Sequence, residues 1–75
     1  MTNDEMQALV TEELKDIPRG EPGQNIYRMA YEQARLNGLG SLAEIPPTAL
    51  AAKQLALQTV RETYPNFEPM QRQRA

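Results

Sequence analysis

Apolar residues recur along the first part of the chain at Met6, Leu9, Val10, Leu14 and Ile17. The steps between them trace a single stripe on a helix, and the pattern predicts a helix over 2–17. Thr2 and Glu5 have capping-box spacing, so each is placed to satisfy a free backbone donor at the helix start. Acidic side chains in the first turn also suit the positive end of the helix dipole. Pro18 ends the pattern, because a residue before proline is pushed out of the α region. The segment Pro18-Arg19-Gly20-Glu21-Pro22-Gly23 is a turn by composition.

A second helix is expected over 22–37, with Pro22 tolerated in its first turn. Ile26, Tyr27, Met29, Ala30, Tyr31 and Ala34 cover more than half of its circumference, and Gln24, Arg28, Glu32 and Arg35 form the polar remainder. So broad an apolar face implies two neighbours and a central position. Ala30 and Ala34, one turn apart, leave room for another helix to approach closely. Gly38 is expected to be a left-handed cap, with Leu39 at the position of a Schellman contact.

Ser41 and Glu44 repeat the capping-box spacing, which predicts a single helical turn over 41–45 before Pro46-Pro47. A third helix over 47–63 carries the stripe Ala49, Ala52, Ala56, Leu57, Val60 and Tyr64, flanked by Leu50. Ala51 and Leu55 fall on its opposite face, and Tyr64-Pro65 closes it. The remaining residues lack periodicity and contain Pro65 and Pro69. The expected fold is therefore all-α: a small bundle of three main helices with an extra short helical turn. Residues 1–65 form the single domain, and 66–75 an extended or mobile C-terminal tail.

Composition narrows the chemistry. A chain of 75 residues is one domain at most and buries only about 60% of the surface its unfolded form exposes. Cysteine and histidine are both absent, so no disulfide staples the fold and only carboxylates remain as metal ligands. Carboxylates at the alternate positions of a calcium loop are missing too, and no metal or other cofactor is expected. A domain with so few staples needs well-packed helices, a partner or self-association. The start, Met1-Thr2-Asn3-Asp4-Glu5, is polar and acidic, unlike a secretory leader, and no apolar run approaches the roughly 20 residues that span a bilayer. A cytoplasmic protein without a membrane partner is the expectation.

Catalysis finds little support. Nucleophilic mechanisms need an adjacent base, usually histidine. Ser41, the lone serine, is accounted for as a helix cap. Glu12, Glu13 and Asp16 lie on the polar side of an amphipathic helix, where nothing in the sequence perturbs them. The four glycines read as turn and cap residues rather than a phosphate loop. A non-enzymatic role is expected.

Charge is unevenly spread. Residues 1–25 carry six acidic and two basic side chains, a net −4, whereas 26–75 carry a net +2. Such a contrast steers association or sets register; the plainer reading is a solvated acidic helix face. Binding to nucleic acid would fall to Lys53, Gln54, Gln58 and Arg61 of the third helix and to Arg72 and Arg74 of the tail. Ala34 and Gly38 have the spacing of a helix-turn-helix, but Pro46-Pro47 leaves no room for a recognition helix after them, and the acidic N-terminal half opposes phosphate attraction.

Docking to protein has broader support. Leu36, Leu39 and Leu42 cluster around the second turn, Leu55 lies off the main stripe, and Phe67 and Met70 are apolar residues in the tail. Singly these need no explanation; together they exceed one small core and imply self-association or docking. Tyr27, Tyr31 and Tyr64 are expected to be half-buried with wet hydroxyls, although tyrosines also serve as interface anchors. The expected function is a small protein-interaction module, acting through its helix faces and tail on a protein partner or as an antiparallel homodimer that sets the acidic first helix against the more basic C-terminal half. Compact cysteine-free chains among bacterial and phage accessory factors offer an analogy of size only. The alternative is a small nucleic-acid-binding regulator using the third helix and the arginine tail.

Overall fold

The computed structural model of the chain describes residues 2–40 and 48–70, and the expected turn over 41–45 lies outside them, with Leu42. Three helices make up the fold: α1 (Asn3–Leu14), α2 (Gln24–Leu39) and α3 (Ala49–Arg61). None is long and apolar enough to cross a membrane. α2 packs against both α1 and α3. The central place expected for the second helix is therefore realised. The Cα trace is flattened, 35 × 29 × 17 Å.

α1 begins as its capping box requires. Thr2 Oγ1 accepts from the Glu5 amide at 3.2 Å, and the Thr2 amide donates to Glu5 Oε1 at 3.3 Å. The α-helix ends at Leu14, three residues before the expected limit. The amides of Lys15, Asp16 and Ile17 then donate to carbonyls three residues back, a tighter turn that carries Ile17 into the core before Pro18. Thr48 caps α3 by accepting from the Ala51 amide at 3.2 Å.

The start and end of α2 both depart from expectation. Gly23, not Gly38, is the glycine with a left-handed backbone (φ +86°), and it precedes α2 instead of following it. The Glu21–Pro22 peptide before it is cis, and Pro22 belongs to the turn rather than the helix. α2 runs on through Gly38, which is buried, to Leu39, and the Gly40 cap is right-handed with φ −83°. Leu39 is thus a helical residue packed against the core instead of a Schellman contact.

Val10, Leu14, Ile17, Tyr27, Tyr31, Ala52, Ala56 and Val60 form the core. Ala52 and Ala56 bring small side chains from α3, and Ala30 and Ala34 of α2 pack against the same cluster. These four alanines permit the close approach of α2 and α3. The inward seam of α2 is Gln24, Tyr27, Tyr31, Arg35 and Gly38. The helix is thus rotated from the orientation its apolar residues imply. Gln24 and Arg35, expected on the polar side, are only 2% and 8% exposed, while Met29 is 66% exposed. Burying an amide and a guanidinium is costly unless both are hydrogen-bonded. Both are: no buried side-chain nitrogen or oxygen among the described residues lacks a partner.

Candidate partner-binding surfaces

Arg35 is buried because α1 supplies a carboxylate to it. Its Nε donates to Glu13 Oε1 at 2.8 Å and its Nη2 to Glu13 Oε2 at 2.8 Å, a two-pronged pair. The Tyr31 hydroxyl also donates to Glu13 Oε1. The Arg35 hydrogen bonds hold the Glu13 carboxyl below the usual carboxylate range against the opposing effect of burial. Burial, reinforced by Glu13, pushes the Tyr31 phenol well above its ordinary value. Glu13 is thus perturbed where the sequence offered no sign of it, and Tyr31 is buried rather than half-wet. A carboxylate engaged in this way ties α1 to α2 and is poorly placed to take a proton from a substrate. Among the described residues, no group of three or more acidic side chains is placed to hold a metal ion.

The C-terminal segment is extended but docked. Gln24 grips its backbone from both sides: Nε2 donates to the Met70 carbonyl at 3.1 Å, and Oε1 accepts from the Met70 amide at 2.9 Å. Arg61 Nε donates to the Phe67 carbonyl at 3.1 Å, and its Nη2 lies 3.0 Å from Glu68 Oε1. The Phe67 ring packs on Tyr27, with centroids 5.9 Å apart and planes tilted by 44°. Residues 67–70 are thus packed and hydrogen-bonded against the bundle, and residues 71–75 of the expected tail lie outside the described residues. The extended backbone of 67–70 is held by hydrogen bonds to two side chains 6 and 46 positions away.

This docking redistributes the residues singled out for partner binding. Phe67 is half-buried against the core, and so are Leu36 and Leu39. Their packing inside the molecule accounts for them. Met70 keeps an exposed side chain although its backbone is held. Leu55 is 54% exposed, as its position opposite the main stripe implied, and Leu50 beside it is 66% exposed. Leu42, Arg72 and Arg74 lie outside the described residues. Of the partner-binding candidates read from sequence, the structure thus leaves Leu55 and Met70 with outward side chains and adds Leu50 beside Leu55 on α3.

The outward face of α3 runs through Leu50, Ala51, Gln54, Leu55, Gln58 and Thr59, all exposed and none charged. The cations of α3 are turned elsewhere. Lys53 is half-buried and near enough to Glu13 to favour its ionised form, and Arg61 is committed to Phe67 and Glu68. A shallow open depression lined by Gln54, Leu57, Gln58, Arg61 and Glu62 borders this face. From sequence Leu50 is only a flank of the main stripe and not a partner-binding candidate; the rotation of α3 shows which flank is covered. Comparison of the chain with protein families, with curated proteins and with solved structures finds no match in any of the three.

Proposed function

We propose that the protein is a non-enzymatic interaction module that docks the outward face of α3 on an apolar surface of a protein partner. The uncharged face carrying Leu50 and Leu55, 66% and 54% exposed, is the observation that supports this reading. Burying two leucines contributes about 3–6 kcal/mol of gross affinity before the costs of association. The same face argues against the nucleic-acid alternative for α3, since phosphate binding draws on free cations and the exposed positions present none. Met70, exposed at the end of the docked segment, is a second apolar contact available to a partner.

The test is a double substitution, Leu50→Glu with Leu55→Glu. Both side chains are already in water, so the melting temperature should stay within a few degrees of the parent. Immobilised parent protein should retain a partner from its native host extract that the double variant does not. Light scattering at two concentrations tells a second copy from a different protein. If parent and variant retain the same proteins, or neither retains any and both are monomeric, α3 is not the docking face.

A further inference from the structure

Most cations among the described residues have an acidic neighbour. Lys15 pairs with Glu12, Arg35 with Glu13 and Arg61 with Glu68, and Lys53 lies near Glu13. Arg19 and Arg28 are different: among the described residues neither has a carboxylate within ion-pair distance. Both line the same two adjoining depressions beside the Pro18 turn. Leu14, Ile17, Pro18 and Met29 supply the apolar parts of the walls.

The cleft is held by backbone contacts. Arg28 Nε donates to the Ile17 carbonyl at 3.2 Å, which fixes the guanidinium while leaving its two terminal nitrogens for another acceptor. Asn25 stiffens the opposite wall, its Oδ1 accepting from the Gly20 amide at 3.0 Å and its Nδ2 donating to Glu21 Oε1 at 2.7 Å. Glu21, two positions after Arg19, is thereby drawn to Asn25. Two guanidinium groups with no carboxylate partner among the described residues, one of them anchored, match an oxyanion that carries more than one negative charge and several acceptor oxygens.

We propose that the Arg19–Arg28 cleft binds a phosphate group. This site is distinct from the α3 face and does not depend on it. Arg28 supplies the fixed contact, and Arg19, exposed on the turn, closes over the anion from the other side.

Inorganic phosphate is the probe, titrated into the 15N-labelled full chain at constant ionic strength and followed by amide and arginine Nε resonances. Saturable shifts should appear at Arg19, Gly20, Asn25 and Arg28, with acetate at the same ionic strength producing much weaker ones. Arg19→Gln should weaken binding about tenfold, the scale of a lost charge-assisted contact. Arg19 makes no side-chain hydrogen bond among the described residues, so this variant folds normally even if Arg28→Gln, which loses the Ile17 contact, does not. Arg61→Gln should bind phosphate as the parent does. Linear shifts equal to those with acetate, or unchanged affinity in Arg19→Gln, would overturn the proposal.

Discussion

At Glu13 one carboxylate accepts from Tyr31 and twice from Arg35, and the pH dependence of stability follows from that. Folded Glu13 holds a proton less tightly than unfolded Glu13. Its contribution is therefore complete above the ordinary value of 4.5 and is lost as pH falls through the lower folded one. Tyr31 acts in the opposite sense: its contribution is complete below the ordinary value of 10.0 and is lost as pH rises toward the raised folded one. Thermal melts should show a plateau from about pH 5 to 9 with a decline on each side. Glu13→Gln should shrink the acid decline without abolishing it, because Glu5 at the α1 cap is also held below its usual range by its Thr2 hydrogen bonds. At pH 7 the same substitution should cost roughly 1.5–3 kcal/mol, the scale of hydrogen bonds to a charged group. An acid limb unchanged in Glu13→Gln would remove the pair from the account. Gly23 is the other residue whose neighbours fix its identity. Its φ is +86°, and an added Cβ would sit 3.0 Å from Phe67 Cδ2 and 3.1 Å from Val60 Cγ1. Gly23→Ala should lower unfolding free energy by roughly 2–4 kcal/mol, combining left-handed strain with overpacking. Urea denaturation measures it directly.

Among the elements, the segment after α3 behaves as a fourth structural piece although it has no regular secondary structure. It closes the end of the bundle where α2 begins and α3 finishes, using Phe67 as the apolar anchor and Gln24 as the clamp. A mobile tail over 66–75 could be deleted with helicity intact. With Phe67 on the core, the deletion should instead lower the melting temperature, and Phe67→Ala alone should cost about 2–3 kcal/mol, short of the value for a fully buried phenylalanine. Circular dichroism melts of the two variants decide the matter: wild-type melting temperatures in both would return the segment to the status of a loose tail. α1 is held more lightly than α3. Val10 and Leu14 are the buried positions within the helix, and Ile17 just beyond it, so the Glu13 contacts matter more to α1 than comparable contacts would on a better-buried helix.

For the molecule as a whole, the helices form a flattened layer with α2 in the middle, and an arrangement 17 Å deep leaves each outer helix with a broad free side. The free side of α1 is acidic through Asp4, Glu5 and Glu12, and that of α3 is neutral with two exposed leucines. This division suits a protein that keeps one face solvated and offers the other for contact. Replacing Leu55 with Glu should leave the urea midpoint within a few tenths of a molar of the parent, since surface substitutions usually change stability by no more than about 0.5 kcal/mol. A large loss would mean that the α3 face is covered within the molecule itself.

Helix number, type and approximate extent were legible from local signals: the Thr2–Glu5 capping box, the stripe from Met6 to Ile17, Pro18 as a stop, and the stripe of the third helix. These depend on neighbours three or four positions away, so the sequence by itself determines them. The orientation of α2 did not follow, because periodicity treats glutamine and arginine as solvent-facing, while burial depends on whether a distant element offers a partner. Glu13 of α1 and the Met70 backbone supply those partners to Arg35 and Gln24. The position of the left-handed glycine, the docking of Phe67 and the exposure of Leu50 were decided in the same way. Each results from contacts between segments far apart in sequence, and only the tertiary structure brings those segments together.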